Sequence, residues 1–536
     1  MSKIVRLGIS LVVGAIVGLI LNFLLLPALS IHSATLWWTV FLSMVASTAI
    51  SWFGATIMGE AEEAIDAVIL TVITVIFAVV GLIGNITGSK CFHASDYQQM
   101  IKVEEGNFEE EIPEDINQIA VVDLETARVI GSRALGELKN STWYEIDGEY
   151  NLITYQGKQY RISPLSFGGY SKSKKAQSIP GYILVDAVNQ KAKYVELDEN
   201  KTIIYSPSAY FSKDLTRHLR KEYPKYMFGK SYFEIDEDGN PYWITTIRTS
   251  TIGLFDGLVE DKFIITDAHT GECNIYTVEE LPEWVDHAFS LSYLMSATSD
   301  SFKYVHGWKN TLWGKTDIKK LSRSYSSEGY SGYTSTVTKD GIMFFTGVTP
   351  ANTTESNVGF VLMSTRTGTV KYYECPCAEE SSAQEAAESV VQQYGYEATY
   401  PSIINVSGVR TYIMTLKGND GLNKMYALCQ ANEYSNVVVA DTLADAVGKY
   451  RATLNGQYLD PDKITSKTGT IAEITEVLIE GYTYYYFKLD DTDEIYMSSI
   501  ENSNKQAFMK KGDKVKIEYT GSTEADVYIV TKIILK

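Results

Sequence analysis

Phe263-Ile264-Ile265-Thr266-Asp267-Ala268-His269-Thr270-Gly271 runs on through Glu272, Cys273, Asn274 and Ile275 to Tyr276. Further along, Phe360-Val361-Leu362-Met363-Ser364-Thr365-Arg366-Thr367-Gly368 runs on through Thr369, Val370, Lys371 and Tyr372 to Tyr373. Phe, Thr, Gly and Tyr recur at identical spacing, and Ile183-Leu184-Val185-Asp186 through Lys193-Tyr194 forms a looser third copy. Each copy reads as a strand, a turn in which Gly supplies a positive φ, and a returning strand. A phrase repeated in this way predicts tandem units.

Helical patterns lie between these hairpins. From Ser382 to Tyr394, Ser382 and Glu385 match a capping box, and Ala383, Ala386, Ala387, Val390, Val391 and Tyr394 share one apolar face. Strands at Ser402–Ile404, Thr411–Leu416 and Met425–Gln430 follow it. Ser212 to Glu222 reads as another helix, ahead of strands around Tyr232–Ile235, Tyr242–Ile247 and Phe263–Thr266. Tight turns at Asp147-Gly148 and Gln156-Gly157 mark further hairpins. The expected fold class is α+β, with a β-rich module over residues 119–225 and α+β modules over 226–350 and 351–460.

Residues 1–88 are of a different kind. Leu7 to Leu26 is an uncharged apolar run long enough to cross about 30 Å of hydrocarbon, and Leu36 to Met58 and Ala67 to Ile86 are two more. Three successive spans exclude a cleaved signal peptide as the reading of the region. Small residues one turn apart (Gly14 and Gly18; Ser43, Ser47 and Ser51; Gly84 and Gly88) predict a packed three-helix transmembrane bundle. No ionisable residue lies inside these runs, which counts against a transporter. Lys3 and Arg6 flank the first span and favour a cytoplasmic N-terminus. Three spans then place the remainder outside, although the loop with Glu60, Glu62, Glu63 and Asp66 carries no basic residue. Residues 89–118 read as an acidic linker, with Glu109 to Asp115 around Pro113 at its heart.

The chain has 536 residues and a net charge of −19, nearly all of it beyond residue 88. That balance argues against binding nucleic acid or an anionic membrane surface at large. Cys91, Cys273, Cys375, Cys377 and Cys429 are few and odd in number, so they read as unpaired thiols and not as a disulfide framework.

After Pro461 a separate unit begins. Thr468–Leu478, Tyr482–Leu489, Glu494–Ser499, Lys514–Tyr519 and Val527–Ile534 read as strands, with a short helix at Asn504–Met509. Five strands with a helix before the fourth predict an OB-like β-barrel over residues 461–536. From Ile464 to Lys536 nine lysines face twelve acidic residues, the wrong sign for nucleic acid. Tyr484, Tyr485 and Tyr486 offer rings for stacking a ligand, but alternation puts at least one of them in the core.

No HExxH, CxxC, GxSxG or phosphate-binding glycine loop occurs. Cys91-Phe92-His93 reads as an exposed thiol and imidazole, and Asp236-Glu237-Asp238-Gly239-Asn240 as a hairpin turn, not a calcium loop. Pro282-Glu283-Trp284-Val285-Asp286-His287 is the most reactive-looking cluster. On a helix Glu283 and His287 would be neighbours, with Trp284, Val285, Ala288 and Leu291 as a buried face. No catalytic, cofactor-binding or metal-ligating residue is nominated, and no cofactor is implied.

A helix followed by strands that end in a Thr-Gly hairpin resembles PepSY-like domains, small modules of secreted or membrane-attached bacterial proteins; Phe263–Tyr276 and Ala383–Gln430 carry the likeness. Ile179 to Asp186, Tyr205 to Phe211 and Phe233 to Trp243 look like those of an uncharacterised family of membrane-anchored bacterial envelope proteins. The family offers no catalytic residues to carry over; repeated α+β modules with no convergent polar cluster, behind three spans, predict a multi-pass protein of the cell membrane with an extracytoplasmic domain that binds or scaffolds a protein, peptide or wall polymer without catalysis. The alternatives are an envelope hydrolase or transferase using paired carboxylates, and the sensor subunit of a membrane complex.

Overall fold

The structure is a computed structural model and describes residues 3–535 other than 60–63, 113–118, 139–140, 323–324, 327–328, 331–332, 339, 353–355, 455–464, 480–481, 501–503 and 521–526. It begins with three helices, α1 (Lys3–Leu25), α2 (Ala34–Ile57) and α3 (Ile65–Thr87), each long and apolar enough to cross a membrane. At 1.5 Å per residue each spans about 35 Å. α1 and α2 pack through the expected small residues: a Cβ on Gly14 would stand 1.8 Å from Ser47 Oγ, and one on Gly18 2.8 Å from Ser43 Oγ. The glycines of α3 do something else. A Cβ on Gly84 or Gly88 would meet Leu254 or Asp256, so these positions receive part of the polar domain, not another helix.

The apolar helices also hold a charged pair. Arg6 and Asp66 lie one residue outside the uncharged runs, yet both are helical and buried, at 1% and 8% exposure. Arg6 Nε donates to Asp66 Oδ2 at 2.8 Å, and Ser51 Oγ donates to the same oxygen at 2.9 Å. The expectation of a bundle without ionisable groups is corrected, because each charge is neutralised by the other where α1, α2 and α3 meet. Arg6 is therefore no free flanking cation. Glu60, Glu62 and Glu63 lie outside the described residues.

The polar part repeats one motif four times: a helix, then four strands paired in chain order as an antiparallel meander. The first unit is α4 (Leu124–Ala134), β1 (Asn151–Tyr155), β2 (Lys158–Phe167), β3 (Gly181–Asp186) and β4 (Ala192–Glu196). The second is α5 (Leu215–Glu222), β5 (Met227–Ile235), β6 (Pro241–Ile252), β7 (Asp256–Asp267) and β8 (Cys273–Tyr276). The third is α6 (Leu291–Lys303), β9 (Thr334–Thr338), β10 (Gly341–Pro350), β11 (Ser356–Met363) and β12 (Val370–Ala378). The fourth is α7 (Glu380–Val390), β13 (Ser402–Val406), β14 (Val409–Lys417), β15 (Asn423–Gln430) and β16 (Val438–Ala440).

Two expected limits fall inside this frame. β10 and β11 pair from Phe344↔Met363 to Val348↔Gly359, so the boundary after residue 350 lies within the third sheet. Val103–Glu105 pairs in parallel with β12, so the segment expected as a linker adds a strand to that same sheet. Residues 113–118, the end of the acidic stretch, lie outside the described residues.

The three copies of the hairpin phrase share one backbone. The last ladder pairs are Val185↔Ala192, Thr266↔Cys273 and Met363↔Val370, which leaves six-residue loops at 186–191, 267–272 and 364–369. The fifth loop position has positive φ in each: 55° at Gln190, 78° at Gly271 and 73° at Gly368. At the first position Asp267 Oδ1 accepts from His269 N and Thr270 N at 2.8 and 2.7 Å, and Asp186 Oδ1 does the same for Val188 N and Asn189 N at 2.9 and 2.8 Å.

Helix starts differ from the capping signals. α7 begins at Glu380, and the Ser382–Glu385 box is not formed. The Glu380 side chain is fully buried and accepts from Ser322 Oγ at 2.7 Å and Asn357 Nδ2 at 3.0 Å, which fastens the helix start to the third sheet. α5 begins at Leu215, capped by Asp214 accepting from Arg217 N at 2.8 Å.

Neighbouring units share cores. Ile183, Phe233 and Ile264 join the first and second, Phe263, Val361 and Val370 the second and third, and Phe360, Ile403 and Met414 the third and fourth. The fourth then returns to the first. Asn423 Nδ2 donates to Val121 O at 2.9 Å, Thr126 Oγ1 to Gly421 O at 3.1 Å, and Gln190 Nε2 to Tyr426 Oη at 3.2 Å. The array closes on itself.

The C-terminal strands β17 (Thr465–Ile479), β18 (Tyr482–Leu489), β19 (Ile495–Ser499), β20 (Lys514–Thr520) and β21 (Val527–Leu535) form a closed barrel in the order β17-β18-β19-β21-β20. Phe487, Tyr496, Val515 and Ile517 fill it. The expected short helix is a 3-10 turn at Asn504–Phe508, and Pro461 lies outside the described residues.

Candidate binding cleft

Where the four units meet, a cleft of about 820 Å³ opens. Tyr150 and Arg161 of the first unit, Tyr232 of the second, His287 and Tyr333 near the third and Lys417 of the fourth all reach it. Its charges are mostly committed. Lys417, the last residue of β14, stands 2.5 Å from Asp123 and also bonds Glu125. Asp123 in turn caps α4 through Thr126 N at 3.0 Å. Burial opposes ionisation of Asp123, but the Lys417 ammonium outweighs it and holds the carboxyl below the ordinary range. Lys417 is likewise raised despite burial, by Asp123 and Glu125. Lys230 pairs with Glu149 at 2.6 Å, and Arg161 donates to the carbonyl of Val122.

His287 reaches the cleft from a segment expected to be helical. Residues 281–290 are instead a loop, and α6 starts at Leu291 behind Ser290 as its cap. Glu234, fully buried in β5, accepts from Asp286 N at 2.8 Å, from His287 N at 2.6 Å, and lies 3.0 Å from His287 Nδ1. Glu260 of β7, 3% exposed, accepts from Ser290 N at 2.6 Å and Ser290 Oγ at 2.7 Å. The N–H groups of Ala288 and Phe289 both donate to Thr365 O. With five consecutive amides engaged by other units, no helical ladder can form there. Glu283 and His287 do not meet. The Glu283 carbonyl accepts from Arg366 at 2.7 Å, while Trp284 packs on Tyr242, and Val285 and Ala288 are buried as expected.

Asp286 sits beside this clasp. Its Oδ2 accepts from Thr154 N at 2.6 Å, and burial together with the neighbouring Glu234 pushes its carboxyl up to about 7. Glu234 and Asp286 are thus a carboxylate pair, but both Glu234 oxygens are occupied by backbone N–H groups. The sequence carried one faint signal for Glu234: it interrupts the apolar run Tyr232-Phe233-Glu234-Ile235 on a strand. Nothing comparable marked Glu260.

The other candidates separate. His93 Nδ1 is 2.6 Å from Asp96, and Cys91 Sγ 3.1 Å from Ser89 Oγ, so that pair does not converge. Cys273 Sγ lies 3.4 Å from His218 Nε2, yet the same nitrogen is 2.6 Å from Gly271 O. It must carry a proton to make that bond, and so takes none from the thiol. Asp236 accepts from Asp238 N, Asn240 N and Asn240 Nδ2 at 3.0, 2.8 and 2.8 Å, a turn as expected. Tyr485 is buried in the barrel. All five cysteines are free, and among the described residues no three His, Cys, Asp or Glu side chains group as a metal site requires.

No family model and no curated protein matches the chain. Among solved structures, a chain from the crystal structure of yeast Stn1 and Ten1 is similar at 17% identity with a TM-score of 0.12, covering 16% of this chain and 54% of that one. The matched part is about half the length of that chain, and a likeness this small carries no argument about fold or function.

Proposed function

We propose that this chain is a membrane-anchored, extracytoplasmic binding protein of the cell envelope, holding a peptide or wall polymer in the central cleft without transforming it. On this reading the four units are PepSY-like, the C-terminal barrel is OB-like, and no nucleic acid is bound. The observation that carries the proposal is the wall of the cleft. All four units contribute to it, and its carboxylates at Asp123, Glu125 and Glu149 are paired with lysines. Tyr232 and Tyr333 add amphipathic rings of the kind that hold extended ligands. Charges fixed in pairs suit recognition better than proton transfer.

Calorimetric titration of the full chain in nanodiscs with an unfolded polypeptide and with soluble wall glycan tests this. Binding of one of them that weakens in Tyr333→Ala, with the ligand recovered intact, is the expected result. Turnover of either ligand, or binding indifferent to Tyr333, would overturn it. The extracytoplasmic placement has its own test. With Cys91→Ser as background, an impermeant thiol reagent on intact cells should label Glu237→Cys; labelling only after permeabilisation reverses the orientation.

A further inference from the structure

The polar domain is seated on the helix ends. Arg217 and Arg220 of α5 donate to the carbonyls of Phe23 (2.8 Å) and Leu26 (3.0 Å), groups that the end of α1 leaves without helical partners. The Arg217 guanidinium also lies 4.2 Å over the Phe23 ring. On the other side, His32 Nδ1 is 2.8 Å from Leu254 O, and Trp37 meets Phe255 edge-on at 5.7 Å. Gly253 approaches so closely that a Cβ there would come within 2.7 Å of Gly88 Cα. Whatever layer surrounds these helix ends also meets the adjoining surface of the domain.

Two exposed aromatic patches adjoin them. Tyr210 and Phe211 stand just before α5 and pack on Tyr170, the first residue of the helix Tyr170–Ala176, at ring separations of 5.3 and 5.9 Å; Tyr170, Tyr210 and Phe211 are 50%, 40% and 59% exposed. Phe211 is held outward at φ 56°, a left-handed conformation that bulky residues rarely adopt. Residues 170–176 and 210–226 together hold eight basic and two acidic side chains, in a chain of net charge −19. The second patch is Trp308, Leu312 and Trp313, 37%, 48% and 70% exposed, on the helix Gly307–Leu312 and just past it. This helix is tied to the exit of α3. Tyr97 donates to Gly88 O at 2.9 Å and shares an apolar cluster with Tyr304, and Gly307 N donates to Tyr304 O at 2.9 Å.

We infer that these two patches are a lipid-facing base, which rests in the headgroup layer around the protein's own helices and selects anionic headgroups through the basic set beside Phe211. Rings with an apolar body and a polar edge are at their most stable in that layer, and flanking cations are drawn to anionic lipid. The net charge as a whole repels such a surface, so the local excess of lysine and arginine fixes which face turns toward it. The contact orients the cleft relative to the bilayer.

The test uses the full chain in nanodiscs, with Cys91→Ser and a nitroxide at Phe211→Cys, Trp313→Cys or, as control, Phe508→Cys on the barrel, where Phe508 is 82% exposed. The ratio of oxygen to nickel-complex collision should be several-fold higher at 211 and 313 than at 508. At 211 it should fall when phosphatidylglycerol is omitted or when Lys174, Lys175 and Lys213 are changed to Glu. Water-like ratios at 211 and 313 would overturn the inference, and so would immobilised spectra with water-like ratios, which mean a protein neighbour. A ratio at 211 indifferent to both anionic lipid and the lysines would overturn the headgroup selection.

Discussion

Glu234 holds the backbone of His287 and the imidazole of the same residue with one oxygen, at 2.6 and 3.0 Å, while its other oxygen takes Asp286 N at 2.8 Å. The second unit thereby fixes the loop that leads into the third. Replacing Glu234 by Ala orphans two N–H groups in a buried site, at about 1–3 kcal/mol each. Glu234→Ala should lower the melting temperature of the domain markedly, and Glu234→Gln, whose amide oxygen still accepts, should lower it less. Equal melting of Glu234→Ala and wild type would remove the clasp from the account of the junction.

Asp286 makes stability depend on pH. Its folded carboxyl titrates near 7, against an ordinary unfolded value of about 3.9. The folded state therefore binds the extra proton between these values. The contribution is complete below about pH 4 and is lost as pH rises through about 7, with a slope of at most about 1.4 kcal/mol per pH unit. Asp286→Asn, which keeps an acceptor for Thr154 N, should flatten that slope and melt above wild type at pH 8. Urea denaturation across pH 4–8 reads both effects.

The hairpin loops offer a matched set. Valine at Gly271 or Gly368 would carry a Cβ at positive φ, and that Cβ would stand 2.5 Å from the Tyr205 ring or 2.8 Å from Phe289. Each variant should lose roughly 1 kcal/mol or more, detected as a lower melting temperature. Gln190 occupies the same loop position at φ 55° without being glycine. Gln190→Gly should therefore be neutral or gain up to about 1 kcal/mol, the opposite sign at the equivalent site.

In the helix bundle, Asp66→Ala removes the carboxylate that the buried Arg6 guanidinium bonds. Loss of one partner of such a pair costs about 3–5 kcal/mol, whereas replacing both with apolar groups of similar size is near neutral. The single variant should dissociate α1 from α3 in a detergent titration followed by proximity crosslinking. Arg6→Met with Asp66→Leu should restore packing. A single variant as stable as wild type would make the pair ornamental.

Much of the fold was legible along the chain because it is written in short-range periodicity. Apolar length marked α1, α2 and α3 to within four residues at each end, and the local pattern placed the strands of the C-terminal barrel, those of the second unit and the first three of the fourth, but not Val438–Ala440. The equivalence of Gly271 and Gly368 was visible because a six-residue loop must take its positive φ at one place. Tertiary structure decided the remainder. Glu234, Glu260 and Glu380 find their partners in other units, 30 to 58 residues away in the cases of Ser290, His287 and Ser322. The loop at 281–290 is helical by local pattern, yet those distant acceptors claim its amides. Gly84 and Gly88 looked like a helix seam and receive a strand hairpin, since a bare backbone face accepts any close neighbour. Local pattern sets which conformations a segment can take. Which of them is occupied depends on buried polar groups that must be satisfied, and only the folded chain brings their partners within reach.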